Sequence, residues 1–265
     1  MRTSSRVLGA LALVAGVVSG AVVGGDIGAV VGVVLAMLGF QTLTRRVEGA
    51  PYIIAALATT AGLYLIARKH DLSLAELGLG RSTWITGALW AVGIVVVVGA
   101  VIGTAGRHRR TRHLFADDRI TDVSGWVTAR RALLDIPFGT VLVEEFAFRG
   151  VLLALMTQLT STLEAVVVTS VLFGLWHIGP SLEMHESHNA TSGSPWPTIA
   201  STVLFTGLSG AGFAALRLFT GSLLPPAALH WAANGTGVVV GWFIHRNGGP
   251  GLDDDTPADT VGDQT

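Results

Sequence analysis

The sequence lacks cysteine altogether and has few charged residues, which make up 13% of its 265 positions. Without cysteine there can be no disulfide, thiolate nucleophile or cysteine-type zinc site, so any metal must be held by nitrogen and oxygen. The formal net charge of -1 provides no basic field for nucleic acid, and no nucleic-acid partner is expected. The motifs G-x-S-x-G, H-E-x-x-H, Walker A and the dinucleotide-binding glycines are also missing.

The chain is rich in apolar residues, which make up half of it and give a mean hydropathy of +0.59. A water-soluble domain of this length does not need so many to bury its core. Because a helix crosses the hydrocarbon core with about 20 largely apolar residues, we predict an all-α, polytopic transmembrane helical bundle. About eight transmembrane helices are predicted, at residues 7–25, 27–44, 51–67, 84–104, 133–157, 162–178, 198–219 and 223–244.

The predicted spans divide the chain into four parts. Residues 1–50 form an N-terminal transmembrane hairpin, and residues 51–132 supply scaffold helices. A Ser-x-x-Glu capping box and a leucine stripe predict an interfacial helix at 71–80 within that scaffold. The scaffold ends in a basic loop at 105–132, and the remaining parts are a catalytic helical core at 133–245 and a disordered acidic tail at 246–265.

The distribution of arginine and lysine predicts the orientation. With the N-terminus inside, twelve of these residues fall in cytoplasmic segments and four outside. Positive residues favour the cytoplasmic side, so both termini are expected in the cytoplasm. We predict an integral membrane protein of a bacterial plasma membrane.

An acidic pair and an arginine interrupt the apolar run at 141–155, where hydrocarbon would disfavour charge: Glu144, Glu145 and Arg149. Ionisable residues inside a membrane segment indicate a functional site by default. On a helix Glu145 and Arg149 share a face, whereas Glu144 is rotated by about 100°. A purely neutralising Glu145–Arg149 pair would leave Glu144 alone, at a cost of about 2.5–3.5 kcal/mol.

Histidines mark two further apolar runs. His177 ends the first run, and His230 lies four residues before Asn234 on a second, so that these two share a face. An interfacial His177, or a His230–Asn234 pair that only joins helices, is the alternative interpretation. From the predicted cytoplasmic helix ends, Glu144 lies roughly 17 Å deep and His230 roughly 20 Å, but His177 only about 2 Å. Convergence therefore requires that the helix of His177 stop short inside the protein.

Taken together and in this order, the three constellations resemble the signature motifs of the CPBP family. This family includes the CAAX-type prenyl endopeptidases and bacterial bacteriocin-processing or immunity proteins. The resemblance covers about residues 133–245 and leaves the first two spans outside as an addition. It implies cleavage of a peptide bond in a membrane protein or peptide within the lipid bilayer. The motifs are Glu144-Glu145-x-x-x-Arg149, Phe173-x-x-x-His177 and His230-x-x-x-Asn234.

Two mechanisms are open under this resemblance. In a metal-free mechanism Glu144, assisted by His177, deprotonates a water. Arg149 orients Glu145, and His230 and Asn234 stabilise the oxyanion. The glutamates could exchange these roles.

In a zinc mechanism Glu144, His177 and His230 bind the metal, and an open position carries the water. Non-catalytic functions also stay open: a membrane interaction or immunity protein whose charged cluster only fixes helix packing, or a proton-coupled transporter. Against a transporter, no pair of broken helices recurs in two halves of the chain. The sequence does not predict the substrate or the oligomeric state.

Overall fold

The computed structural model describes residues 24–115, 123–187 and 194–247, with backbone alone at 183–187. Within these ranges the chain is helical, and short turns join the helices. Helix α4, at 125–159, is continuous but built of alternating α and π segments. The other helices are α1 (Gly25–Thr44), α2 (Ala50–Lys69), α3 (Trp84–Arg107), α5 (Thr162–Trp176), α6 (Ile178–Ser187), α7 (Trp196–Thr220) and α8 (Leu224–Arg246).

Five candidate membrane spans occur among the described residues, so the predicted helical membrane bundle is confirmed. The predicted number of eight is not. Helices α4 and α8, which carry the ionisable motifs, are not among the five, and the predicted first span, 7–25, lies almost wholly outside the described residues. The candidate spans are Gly25–Thr44, Ala50–Lys69, Arg81–Arg107, Thr162–Leu182 and Trp196–Thr220.

The outward faces of the helices are apolar. Gly87 is the single buried residue of α3, and side chains such as Ile85 (78% exposed), Phe205 (71%) and Phe219 (77%) cover the outside of α3 and α7. Continuous apolar surface of this kind is unusual on a soluble monomer. It is the surface that lipid tails would cover, as the predicted membrane location requires.

One end of the helical bundle collects most of the arginines. There Arg131 Nη2 lies 2.9 Å from Glu48 Oε1, and the Trp242 indole donates to Val123 O at 2.9 Å. The ends of α1, α3 and α8 and the start of α4 therefore lie together. We call this end the arginine-rich side.

The opposite end joins the remaining turns. His70 Nδ1 lies 2.8 Å from Asp26 Oδ1, which places the start of α1 beside the end of α2. Leu223 N donates to Gly78 O at 2.9 Å, which ties the turn before α8 to the turn after α2. Successive helices thus alternate between two ends, as the predicted spans require; which end faces the cytoplasm stays a prediction.

Helix α4 begins at Gly125, well before the predicted start at 133. The Ser124 side chain caps it by accepting a hydrogen bond from Val127 N, one of the amides that the first turn of a helix leaves without a partner. The helix can therefore begin here. Since α3 also continues to Arg107, the predicted basic loop at 105–132 is shorter than expected.

A proline shapes the π-helical first part of α4. The segment Arg131–Val141 has π geometry, in which the amide of Pro137 would donate to the carbonyl of Ala132. Proline has no amide hydrogen. The Trp231 indole of α8 donates to Ala132 O instead, at 2.7 Å. This hydrogen bond fixes α8 against α4 one residue away from His230.

A second proline breaks the helix that follows. α5 ends at Trp176, and α6 begins at Ile178, so the helical course breaks at His177 and then continues beyond 178, where the predicted span ends. Pro180 cannot donate to Trp176 O. Gln41 Nε2 from α1 donates to that carbonyl at 3.0 Å. The break at His177 is thus stabilised by a helix far away in sequence.

The predicted interfacial helix at 71–80 is replaced by a single turn. Its capping box is present, because Glu76 Oε2 accepts from Ser73 N at 2.8 Å and Ser73 Oγ accepts from Glu76 N at 3.2 Å. Gly78, with φ +75°, then ends the turn in the left-handed region. Arg217 Nη2 donates to Glu76 O at 2.8 Å, and its guanidinium occupies the space that a side chain at Gly78 would need. The helix is therefore stopped after one turn.

Candidate active site

The ionisable side chains of α4 and α8 meet in the interior. Glu144, Glu145, Arg149 and His230 are 6%, 1%, 2% and 5% exposed. The two glutamates lie in a short α-helical segment, Leu142–Glu145, between two π segments of α4. π-helical turns often occur at functional sites, because they shift the side chains that follow them around the helix. We call this group of four residues the carboxylate cluster.

Glu145 is the shared acceptor of the cluster. Its Oε1 lies 3.1 Å from Arg149 Nη1 and 2.8 Å from His230 Nδ1. An ionised carboxylate only accepts, so Nδ1 of His230 carries the hydrogen. His230 Nε2 then points toward Glu144, with 3.9 Å between Nε2 and Glu144 Oε2. Glu145 thereby holds the imidazole in one orientation.

Glu144 has one occupied and one open oxygen. Its Oε1 accepts from the Trp176 indole at 3.1 Å, whereas Oε2, like Oε2 of Glu145, is buried and has no hydrogen-bond partner among the described residues. Trp176 was not predicted as a site residue, although a buried indole N–H in hydrocarbon needs an acceptor. Trp176 thus holds one oxygen of the Glu144 carboxylate, and the other oxygen of Glu144 faces His230.

Aromatic rings surround the Arg149 guanidinium. Its central carbon lies 3.8 Å from the ring centroid of Phe173 and 4.9 Å from that of Phe213, which are favourable cation–π positions. A side chain at Gly210 would reach within 3.3 Å of Arg149 Nη2, so this glycine leaves room for the arginine. The sequence analysis did not single out Phe213 or Gly210, because they become neighbours of Arg149 only when α7 packs on α4 and α5.

His177 lies beside the cluster. Its Nδ1 donates to Phe173 O at 2.8 Å, and the half-buried ring lies 4.7 Å from the Phe173 ring, which is itself 6.1 Å from the ring of His230. The adjacent Trp176 contacts Glu144, so α5 does stop at the depth of that carboxylate, as convergence requires. Within the described ranges no hydrogen bond joins His177 to Glu144, and its assisting role stays a prediction.

Asn234 lies outside the buried cluster. It is exposed and lines a cavity of about 370 Å³ together with Leu114, Ile136 and Gly237. This cavity lies one helical turn from His230, toward the arginine-rich side. The predicted oxyanion role of Asn234 is untested by this arrangement and stays a prediction.

The predicted zinc ligands do not fit a metal ion as they are placed. Among residues 24–115, 123–187 and 194–247, no three His, Asp or Glu side chains lie in a group that could hold one. His230 Nδ1 is directed to Glu145, and His177 Nδ1 is directed to a backbone carbonyl. We therefore derive no catalytic step through zinc, which stays a prediction from the sequence.

Residues 127–236 match the family model of Rce1-like type II CAAX prenyl endopeptidases. The resemblance to CPBP intramembrane proteases is thus confirmed for this segment, which contains all three motifs and begins close to the predicted start at 133. The family is one of proteases, and its activity is the hydrolysis of peptide bonds. No curated protein and no solved structure matches the chain.

Proposed function

We propose that this chain is an intramembrane endopeptidase that hydrolyses a peptide bond of a membrane-associated protein or peptide. The observation that carries the proposal is the approach of a second carboxylate to an imidazole in the interior, where Glu144 Oε2 lies 3.9 Å from His230 Nε2 inside the carboxylate cluster. A cluster that only fixed helix packing would need the Glu145–Arg149 pair but not a second buried carboxylate, which is costly in this interior.

The charges of the cluster support a division of roles. Two carboxylates and one guanidinium leave one negative charge, and a net charge in this interior is costly. An imidazolium at His230 would balance it: Nδ1 donates to Glu145, and Nε2 would then direct a second hydrogen toward Glu144. The cluster then holds one base, Glu144, beside one acidic N–H group.

These groups suffice for amide hydrolysis. Glu144 Oε2 takes a proton from a water as the water oxygen bonds to the scissile carbonyl carbon. His230 Nε2–H donates to the oxygen on which negative charge develops. The proton on Glu144 then passes to the amide nitrogen as the C–N bond breaks, and Glu144 returns to its carboxylate form. Water and one peptide bond are consumed, and a carboxyl and an amino group are produced.

The remaining motif residues hold or approach this centre. Glu145 and Arg149 fix the orientation of His230, and Trp176 fixes Glu144. The peptide would enter from the cavity lined by Asn234, whose amide could donate to the substrate after binding.

The test is cleavage of a labelled membrane peptide panel by the purified full-length protein. Glu144→Gln keeps the size and the Trp176 contact but removes the base, so we expect kcat to fall by about 10²–10⁴-fold. Glu164→Gln is the matched control, because Glu164 is an exposed capping residue at the start of α5. Undiminished cleavage by the Glu144 variant would remove this residue from the chemical step.

A wild-type preparation that is folded and inserted but cleaves no member of the panel would favour the non-catalytic membrane interaction or immunity function. Measuring the zinc content of an active preparation decides between the metal-free and the zinc mechanism.

A further inference from the structure

We propose that an anionic phospholipid binds between the ends of α3 and α8 on the arginine-rich side. A cavity of about 460 Å³ lies there, separate from the carboxylate cluster. It has charged and amide groups at one part of its wall and apolar side chains at another. Its lining includes Gly103, Arg107, Arg112, Val240, Phe243 and Asn247.

The cavity lies at the depth of lipid headgroups. The candidate span that contains α3 ends at Arg107, and α8 ends at Arg246. A site formed by the last turns of a candidate span and of the helix packed beside it is where the hydrocarbon ends and the phosphate layer begins. Basic pockets between transmembrane helices at this level are a recurrent means of binding anionic headgroups.

The charge of the site is complementary to phosphate. Arg107, Arg109, Arg110 and Arg112 follow one another at the end of α3, and no carboxylate in the described ranges forms an ion pair with any of them. Arg107 Nη1 donates to Gly103 O at 3.2 Å, which keeps this guanidinium at the cavity. Its other N–H groups, together with those of the half-buried Arg112, are available to phosphate oxygens in the forked geometry that arginine favours.

The apolar wall distinguishes a lipid from a soluble phosphate. Val239, Val240, Phe243 and Ile244 of α8 line the cavity below the arginines. A free phosphate would leave this surface unused, whereas the first methylenes of an acyl chain would cover it. Gly106 meets Val240 directly, so α3 and α8 are in contact at the wall of the cavity. The occupant that matches both walls is therefore a phospholipid.

The experiment is native mass spectrometry of the full-length protein, titrated with phosphatidylglycerol or with phosphatidylcholine of the same chains. The test variant is Arg107→Gln/Arg112→Gln. The matched control is Arg109→Gln/Arg110→Gln, which removes the same charge from exposed positions that do not line the cavity. We expect wild type and control to retain one phosphatidylglycerol in preference to phosphatidylcholine, and the test variant to bind it about tenfold or more weakly.

Three results would overturn the proposal. Equal weakening in both double variants would mean that the loop attracts anionic lipid only by its total charge, and unchanged binding in the test variant would place the lipid elsewhere. Glycerol phosphate is added in a competition arm, and displacement of the lipid at equal concentration would identify a soluble phosphate ligand instead. Thermal unfolding in phosphatidylcholine verifies that the variants are folded.

Discussion

The segment that matches the protease family and the helices before it distribute polar groups differently. In residues 127–236 four ionisable side chains meet in the interior. In residues 24–115 the hydrogen bonds of the acidic side chains lie at helix ends and turns, as in the pairs Asp26–His70 and Ser73–Glu76. The groups of the proposed centre therefore belong to the matched segment, and the helices before it contribute mainly packing.

Two hydrogen bonds qualify this division. Each satisfies a carbonyl that a proline leaves without its helical donor. Trp231 reaches Ala132 O within the matched segment, whereas Gln41 reaches Trp176 O from α1, outside it. Because Trp176 also holds Glu144, α1 supports the candidate base through one intermediary. The family segment is therefore not structurally independent of the helices before it.

The largest expected effect lies within the carboxylate cluster. Arg149→Met leaves Glu145 buried without its guanidinium, and breaking a buried pair in this way costs about 3–5 kcal/mol of folding free energy. Adding Glu145→Gln should recover part of this loss, since the unpaired charge is then removed. Thermal unfolding of the purified single and double variants measures both. Strictly additive losses would show that the pair is not coupled, and that the interior does not depend on charge balance.

A smaller effect should cross the boundary between the two regions. Gln41→Leu removes the amide that donates to Trp176 O, so we expect Trp176 and Glu144 to lose their alignment and kcat to fall about tenfold with little change in KM. Thr42→Val is the control, because Thr42 is exposed and its hydroxyl bonds within its own helix. Cleavage kinetics of both variants measure the effect. Equal activity of the two variants would mean that the matched segment arranges its own site.

The smallest effect belongs to the turn after α2. Hydrogen bonds from the Ser73 side chain and backbone hold the pKa of Glu76 below its ordinary value. The stabilisation is therefore present above the unfolded pKa and is lost as the pH falls through the lower folded pKa. Glu76→Gln should lower stability at neutral pH by well under 1 kcal/mol, because the group is exposed.

Unfolding temperatures measured against pH check this sign. The difference between wild type and the Glu76 variant should vanish in acid, where both side chains are uncharged. A difference in unfolding temperature that persists in acid would assign the effect of the variant to packing of the turn. The charge of Glu76 would then contribute nothing to stability.

The sequence alone supported the membrane bundle, the three motifs and the pairing of Glu145 with Arg149. These depend on local rules, namely hydrophobic length, helical spacing and the cost of charge in hydrocarbon. It misplaced the start of α4 and predicted a helix at 71–80. The cap at Ser124 starts α4 earlier than predicted, and the left-handed Gly78 stops the helix that was predicted at 71–80.

What only the tertiary structure decided is which group each buried atom meets. Spacing could not distinguish the roles of Glu144 and Glu145. In the packed structure Glu145 accepts hydrogen bonds from Arg149 and His230, whereas Glu144 accepts one from Trp176. It likewise placed Asn234 beside the cluster rather than in it. The physical reason is that periodicity determines the face of a helix on which a residue lies, but the partner depends on how separate helices approach. Here that approach is set by carbonyls left open at two prolines and by side chains from other helices that reach them.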